Sequence, residues 1–325
     1  MTAPSTRTRA RDSLPGITFR LAVEEDLPEC GRIHQEGIDG YLMPLGFPPL
    51  PRENQSLLRL HAHTRATSPD RFIVAERHKR FGRSRIVAFG SAIDREHLWF
   101  LSMLFVEPAE QARGLGKALM DRLLPQERDG RVLSTCTDAA QPISNGLYAA
   151  LGIVPRVPIF NLVGRPRSGW QPEPLPVGVT AVRVEPAANG VLDPAQQAEL
   201  DAFDRSVIGF AHPEDHAYDL RERPWLVAYR DRAGRLVGYG YTSEVGRIGP
   251  ISVTDPELQG PVLGHLLTAV VPRGASAIWL PGTADGAYRA GLGAGLRIEG
   301  FPTLLCYDRP FGDFTRYVPT SPGLI

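Results

Sequence analysis

The stretch LFVEPAEQARGLGKA, residues 104–118, decides the fold of this chain. It completes a continuous apolar run that starts at Leu98, which is typical of a strand buried on both faces. Helical periodicity begins at Gly114, and Gly116 lies in the first turn of that helix. Because neither glycine has a side chain, the backbone N–H groups at the helix start are open and, with the helix dipole, favour an anion. The stretch predicts a strand, a short loop and a helix with a phosphate-binding start.

Two basic residues, Arg113 and Lys117, could add charge to this predicted site. The alternative is a structural turn in which the glycines only allow close packing. The loop is not a Walker A motif, since no Gly-Lys-Ser/Thr follows a four-residue spacer, and it lacks the third glycine of a dinucleotide fingerprint. The glycines alone therefore leave both interpretations open.

Short segments recur in the same order along the chain, about 150 residues apart. RIVAFG at 85–90 resembles RLVGYG at 235–240, and FIVA at 72–75 resembles WLVA at 225–228. Because the matches keep nearly one offset, we expect two copies of one domain and not a short-period solenoid. The segment 166–176, PRSGWQPEPLP, contains four prolines and predicts an extended linker between the copies.

The predicted domains are an N-terminal copy at 17–165 and a C-terminal copy at 177–325. Each copy predicts the order strand, two helices, three strands, helix, strand, helix, strand, which is a mixed α/β fold. The polar residues 1–16 lack the apolar stretch of a signal peptide and predict a disordered leader. Between the first two helices, the apolar and Pro-rich segment 41–50 either packs on its own domain or covers a bound acceptor.

Composition excludes several classes of protein. The 36 basic and 36 acidic side chains balance, which argues against a nucleic-acid partner. No apolar run approaches the roughly 20 residues of a membrane span, and three widely spaced cysteines imply no disulfide framework. We expect a cytoplasmic protein without a nucleic-acid or membrane partner.

Two motifs resemble those of the GNAT superfamily, the Gcn5-related N-acetyltransferases. QARGLG at 111–116 resembles the family's pyrophosphate-binding signature, Gln/Arg-x-x-Gly-x-Gly/Ala. SNGLYAALGI at 144–153 resembles its second motif, in which an Asn and a helical Tyr precede a Leu-Gly turn. The resemblance implies two tandem GNAT folds and acetyl-CoA as cosubstrate. The cofactor contacts that it implies come from Leu104, Phe105, Val106, Gln111, Ala112, Arg113, Gly114, Leu115, Gly116, Lys117 and Asn145.

The resemblance also assigns roles in the reaction. The pantetheine arm would pair with the backbone of Leu104 and Val106, and a neighbouring amide, of Leu104 or Phe105, would hold the thioester oxygen. Asn145 would hydrogen-bond the pantetheine. Tyr148 would protonate the leaving CoA thiolate, since a phenol has a pKa of about 10 and a thiol about 8.5.

The general base is less clear, because the strand position that carries a Glu in many relatives falls at Phe100. The candidates are Glu96, His97, Ser102 as the holder of a water, and Asp138. Each could instead be a surface or turn residue, and ordered water could carry the proton without a base.

The second copy departs from the phosphate-binding pattern. Pro261 and Val262 stand where the first copy has Arg113 and Gly114. Proline removes a backbone donor, and valine adds a branched side chain where a phosphate must approach. We expect a degenerate copy that has lost cofactor binding and serves as scaffold, substrate wall or dimer surface.

Two further segments of the second copy have no place in the motif. His212 and His216 could suggest a metal site, but Pro213 marks a helix N-terminus and no third ligand is evident. A solvated helix start is therefore preferred, and no metal site is predicted. The polar and aromatic segment 308–317 is expected to dock back on the protein.

The sequence thus predicts an N-acetyltransferase whose N-terminal copy transfers an acetyl group from acetyl-CoA to a primary amine of a small molecule or peptide. Transfer would be direct, in a ternary complex, with proximity supplying much of the rate. One alternative is a mycothiol-synthase-like tandem acetyltransferase, for which the resemblance implies a competent C-terminal copy. The other is a non-catalytic acyl-CoA-binding or regulatory module. A homodimer remains an open expectation.

Overall fold

The computed structural model describes residues 14–51, 54–78, 84–128, 130–187 and 190–325. Of the predicted disordered leader at 1–16, residues 1–13 lie outside this part of the chain. Residues 14–16 form a turn that leads into the first strand, with the Ile17 N–H donating to the Leu14 carbonyl. Within the described ranges, no helix combines the length and the apolar character that crossing a membrane requires.

The order of elements repeats, as predicted. The first copy contains β1 (Ile17–Leu21), α1 (Leu27–Leu42), α2 (Gln55–Thr67), β2 (Phe72–Arg77), β3 (Arg85–Arg95), β4 (Leu98–Val106), α3 (Leu115–Leu123), β5 (Val132–Asp138), α4 (Pro142–Ala149) and β6 (Val154–Gly164). The second copy contains β7 (Thr180–Val184), α5 (Pro194–Val207), α6 (Pro213–Glu222), β8 (Trp225–Arg230), β9 (Leu236–Thr242), β10 (Ile251–Val253), α7 (Gln259–Ala269), β11 (Ser276–Pro281), α8 (Asp285–Ala294) and β12 (Arg297–Tyr307). A short strand, β13 (Tyr317–Val318), follows.

The chain divides into two compact units that differ from the two predicted copies. The first unit contains residues up to Ser91 and 103–126, and the second contains 92–102 and everything from Glu127 onward. Strands β3 and β4 each continue from one unit into the other. The copy boundaries at 17–165 and 177–325 describe sequence relatedness and stay a prediction.

In the first unit, β2 is the middle strand of an antiparallel set. It pairs with β1 on one side, where Phe19 is opposite Ala75, and with β3 on the other, where Val74 is opposite Phe89. Helix α3 packs closely on β3, because a side chain at Gly90 would come within 2.5 Å of Leu123. Because Gly90, which ends the RIVAFG segment, has no side chain, α3 can pack directly on β3 at this position.

The second unit contains strands from both copies in one sheet. The first half of β4 pairs in parallel with β5, and the sheet continues in the order β5-β12-β6-β11. Strand β12 of the second copy thus lies between β5 and β6 of the first, with Leu305 opposite both Cys136 and Val157. This exchange of strands explains why the compact units do not follow the copies.

The other sheet of the second unit has the order β13-β10-β9-β8-β7. Helix α7 packs on β9, where a side chain at Gly240 would come within 2.5 Å of Leu266. Gly240 ends the RLVGYG segment and has the same function as Gly90 in the first unit. The two matched segments therefore share a packing role as well as a sequence.

The predicted linker 166–176 contains no helix or strand. It is nevertheless packed, because Trp170 contacts the apolar core of the second unit and Pro172 lies against Gly264 of α7. The predicted docking of segment 308–317 is confirmed: Asp308 exchanges hydrogen bonds with Leu133, and Tyr317 is fully buried.

Candidate active site

The loop between β4 and α3 belongs to the first unit and has an unusual backbone. Pro108–Glu110 form a single 3-10 turn, and the Gln111 side chain donates to the Val106 carbonyl at 3.1 Å. Ala112 and Gly114 then have left-handed φ angles of +60° and +80°. Alternation of left-handed residues with residues of negative φ turns successive backbone N–H groups toward one concave side. This is a common anion-binding geometry.

Gly114 decides between the two interpretations of the glycines. It is the N-cap of α3 and provides no side-chain cap. A side chain at Gly114 would meet no atom within 4 Å, so its conformation and not close packing requires glycine here. The next three N–H groups have no acceptor within the helix, because no helix turn precedes them.

An ion-pair network with largely buried carboxylates lies directly before this loop. Glu110, whose side chain is 5% exposed, accepts hydrogen bonds from Arg77 at 2.7 Å and from Arg113 at 2.8 Å. The hydrogen bond from Arg77 holds the pKa of Glu110 below its ordinary value. Glu107 pairs in turn with Arg85 and, at 3.2 Å, with Arg32. Motif comparison gave no sign of this network, because its arginines come from distant strands and a helix.

The two predicted phosphate-binding cations both have acidic partners. Lys117 pairs with Asp121 at 2.6 Å, and Arg113 pairs with Glu110. Both cationic side chains are more than half exposed. The backbone of the loop is therefore its main anion-attracting feature.

The predicted cofactor-binding end of β4 has a free backbone edge. Pairing with β5 ends at Leu101 and Thr135, where the threonine hydroxyl donates to the Leu101 carbonyl at 2.8 Å. Among the described residues no strand continues this pairing along Leu104, Phe105 and Val106, which are all half-buried. An extended ligand arm can pair with an edge of this kind.

Two histidines that the sequence analysis missed lie in the first unit behind Phe105. The His34 ring is 4.4 Å from the Phe105 ring between centroids, and the His61 ring is 5.2 Å from that of Phe89. His61 is fully buried, and among the residues that the structure describes neither of its ring nitrogens has a hydrogen-bond partner; the same holds for Nδ1 of His34. Burial lowers the pKa of His34 to about 4 and that of His61 to about 3. Both are therefore neutral imidazoles at neutral pH.

The apolar segment 41–50 is exposed in part, at residues 43–46 and 48–49. Met43 and Leu45 are 51% and 53% exposed, while the backbone is held by Asp39, which accepts from the Leu50 N–H at 2.8 Å. Gly46 turns the segment with a left-handed φ of +89°. Exposure of these side chains on a fixed backbone favours the interpretation as a cover over an acceptor.

Asn145 and Tyr148 lie on α4, in the second unit. The Asn145 amide donates to the Asp138 and Gln141 carbonyls at 3.1 and 2.8 Å, which ties α4 to the end of β5. Its side-chain oxygen is buried with no partner in the described ranges and can accept a hydrogen bond from a ligand. Tyr148 is buried, and burial raises the pKa of its hydroxyl, so it stays protonated.

Two of the four candidate bases, Glu96 and Ser102, are engaged with other groups. Glu96 lies in the turn before β4, pairs with Arg205 at 2.7 Å, and has a pKa lowered mainly by that partner, which makes it a weak base. The Ser102 hydroxyl donates to the Gly323 carbonyl at 2.7 Å. His97 lies in the same turn as Glu96, and Asp138 caps the turn after β5 through the Ala140 N–H.

In its described residues, the second copy has no counterpart of the open loop. Helix α7 starts at Gln259, and its whole first turn is buried. A side chain at Gly260 would come within 3.1 Å of the Gly286 carbonyl of α8. The helix start that would bind phosphate is therefore covered by protein.

Comparison with known proteins agrees with this site. Residues 39–153 match the family model described as the Acetyltransferase (GNAT) family, which includes the loop and both motifs. The chain is thus similar to the GNAT family over this segment of the first copy.

One curated relative is similar to part of the chain. A mycothiol acetyltransferase of Clavibacter michiganensis subsp. michiganensis (strain NCPPB 382) is 29% identical over 183 residues, which are 51% of this chain and 56% of the relative. The chain thus matches little more than half the length of that curated relative.

Two solved structures share the architecture over nearly the whole chain. A putative acetyltransferase from Pyrococcus horikoshii has a TM-score of 0.68 at 17% identity, over 97% of this chain and 96% of that one. A tandem GNAT protein from the clavulanic acid biosynthesis pathway has a TM-score of 0.52 at 14% identity, over 90% and 97%. At these identities the likeness concerns the fold, and it confirms the predicted pair of GNAT folds.

Proposed function

We propose that this protein is an N-acetyltransferase whose first copy binds acetyl-CoA and passes the acetyl group to a primary amine. The observation that carries the proposal is the left-handed loop at Ala112 and Gly114, with its open N–H groups at the start of α3. A pyrophosphate is the group in acetyl-CoA that such a loop can hold through backbone donors. The proposed loop contacts run from Gln111 to Lys117.

The acyl-carrying arm would use the free edge of β4. Leu104 and Val106 would exchange main-chain hydrogen bonds with the pantetheine, and an amide of this segment would hold the thioester oxygen as negative charge develops. Asn145 supports the same assignment, since its buried side-chain oxygen lacks a partner and the pantetheine amides are donors.

The reaction is a direct displacement. The neutral amine nitrogen attacks the thioester carbonyl, a C–N bond forms, the C–S bond breaks, and the CoA sulfur leaves with the electron pair. Tyr148 would give its proton to that sulfur, which its raised pKa permits because it keeps the hydroxyl protonated. The amine loses its own proton to water, since the candidates Glu96 and Ser102 are both engaged with other groups.

The acceptor would bind at the exposed apolar segment 41–50 and have an apolar portion. The name of the Clavibacter relative makes a mycothiol-related amine one candidate acceptor. A small-molecule amine fits this site as a class, with peptides as the other class to be tested.

The second copy would not bind cofactor, because its helix start is covered. This argues against the alternative in which the C-terminal copy carries the activity. The non-catalytic alternative is weakened by Asn145 and Tyr148, which a cofactor-sensing module would not need together.

A panel of amines tests the proposal through release of free CoA thiol from acetyl-CoA. The panel should contain amino sugars, polyamines, aromatic amines, peptide N-termini and a mycothiol-related amine. We expect turnover with at least one apolar amine. Saturable binding of acetyl-CoA without turnover on any member would overturn the enzymatic proposal in favour of a binding module.

A further inference from the structure

A buried cluster in the second unit brings together three side chains of the kinds that bind metal ions. Asp204 near the end of α5, His212 at the N-cap of α6 and His216 one turn later are all 1% exposed or less. Their ligand atoms lie within 4.8 Å of one another. The solvated helix start predicted for the two histidines is therefore wrong. The third ligand was missed because Asp204 belongs to the preceding helix.

We propose that Asp204, His212 and His216 form a binding site for a divalent transition-metal ion, with zinc best suited to the donor set. The Asp204 Oδ2 atom is 3.3 Å from His212 Nε2 and 2.8 Å from His216 Nε2. Around zinc, bonds of about 2.0–2.1 Å in tetrahedral geometry separate two ligand atoms by roughly 3.4 Å. The contact between Asp204 and His216 must open by about half an ångström on this geometry, and the ligand atoms of the two histidines lie within 4.8 Å of each other.

The remaining polar atoms of two ligands are already held by tyrosines. The His216 Nδ1 atom is 2.8 Å from the Tyr241 hydroxyl, and the Tyr239 hydroxyl donates to Asp204 Oδ1 at 2.7 Å. Metal-bound histidines and carboxylates usually have such outer partners, which fix the ring orientation and the tautomer. The arrangement leaves the Nε2 atom of His216 and the Oδ2 atom of Asp204 2.8 Å apart, while the His212 and His216 rings stack with centroids 4.6 Å apart.

His212 is the ligand that most requires an occupant. Its Nε2 lies 3.3 Å from Asp204 Oδ2 without the geometry of a good hydrogen bond, and in the described part of the chain its Nδ1 has no hydrogen-bond partner, although the side chain is 1% exposed. Burial of an imidazole without such a partner is costly. A metal ion bound to Nε2 would satisfy it.

The charges of the cluster also favour a cation. Arg95 pairs with Asp215 and Arg223 pairs with Asp219, each at 2.6 Å. Asp204 differs, since in the described part of the chain its ion-pair contacts are with the two histidines alone. A buried carboxylate without a guanidinium partner needs positive charge from another source. A bound ion would join the end of α5 to the start of α6.

Metal content tests the proposal independently of acetyl transfer. The full chain, without a histidine tag, is expressed in zinc-supplemented medium, and zinc per chain is measured by mass spectrometry. We expect about one ion per wild-type chain, about one in the control His265→Gln, and almost none in His212→Gln. His265 is a suitable control because it hydrogen-bonds Tyr229 elsewhere in the same unit.

A second measurement does not depend on any variant. Cobalt-grown wild-type protein should show the visible absorption of four-coordinate cobalt, and a chelator present during reversible unfolding should lower the melting temperature, with recovery on adding zinc. Folded wild-type protein that contains no more zinc than His212→Gln, with a melting temperature indifferent to chelator, would overturn the proposal. Asp204, His212 and His216 would then be joined by shared protons and hydrogen bonds, without a metal ion.

Discussion

Arg77 on β2 donates from Nε to Oε1 of Glu110 at 2.7 Å, one residue before the proposed phosphate loop begins. The Glu110 side chain is almost fully buried and keeps a lowered pKa, mainly because of this hydrogen bond. A strand of the first unit therefore fixes the position at which the loop starts. The loop's backbone donors are oriented by a contact far from them in sequence.

Replacing Arg77 by Met should loosen the loop. Glu110 would keep Arg113 but lose its closest partner, and the free energy of unfolding should fall by about 1–2 kcal/mol after allowance for the part-exposed arginine. Affinity for acetyl-CoA should fall as well. Urea unfolding measures the free energy of unfolding, and calorimetry measures the affinity for acetyl-CoA. Arg273→Met is the control, since its pair with Glu244 is largely exposed and should contribute less than about 0.5 kcal/mol. Wild-type values for both quantities in Arg77→Met would contradict the anchoring role.

The buried histidines should make the protein sensitive to mild acid. The folded-state pKa values of His34 and His61, about 4 and 3, lie below the unfolded value of about 6.5. The unfolded state therefore binds protons first, and stability is lost as the pH falls below 6.5. Between pH 7.5 and 5.0 each histidine should cost about 2 kcal/mol. In His61→Phe the loss over this range should be about 2 kcal/mol smaller than in the wild type; equal losses in urea unfolding at the two pH values would refute the assignment.

Tyr148→Phe should separate chemistry from binding. Loss of a general acid should lower kcat by about 100-fold or more, while the affinity for acetyl-CoA stays near the wild-type value. Tyr288→Phe is the matched control, because Tyr288 lies on the corresponding helix of the second copy. Full activity of Tyr148→Phe with the best amine would remove this residue as the acid.

Leu45→Ser should weaken binding of the acceptor amine without affecting binding of acetyl-CoA. Because Leu45 is about half exposed, the change should alter the free energy of unfolding by less than about 0.5 kcal/mol. If segment 41–50 covers the acceptor, KM for an apolar amine should rise several-fold while KM for acetyl-CoA is unchanged. Val271→Ser, also at an exposed site, controls for loss of surface apolarity. An unchanged KM for the amine would favour a loop without contact to substrate.

Local sequence was sufficient to predict the parts of the site that depend on local backbone. The loop from Gln111 to Gly116 could be predicted because glycine at a left-handed φ is a local requirement, independent of the rest of the chain. The order of strands and helices was predictable for a similar reason, since periodicity and turn residues determine it.

Contacts between distant segments could not be predicted. Insertion of β12 between β5 and β6 depends on pairing across some 150 residues, and no local signal specifies the partner of a strand. The burial of His61 and the approach of Asp204 to His216 are equally non-local. For His61, Asp204 and His216, a polar residue on a helix is ambiguous until the element that covers it is known.

The central claim is that one acetyl-CoA binds per chain, at the start of α3. Isothermal titration calorimetry with acetyl-CoA tests it on three proteins: wild type, Gly114→Val and Gly234→Val. Gly234 has a φ of +78°, nearly that of Gly114, and is equally free of neighbouring atoms, so the two substitutions impose the same backbone strain at different places. We predict one site per chain in the wild type and in Gly234→Val, and no binding in Gly114→Val. Two equal sites in the wild type, or unchanged affinity in Gly114→Val, would contradict the account.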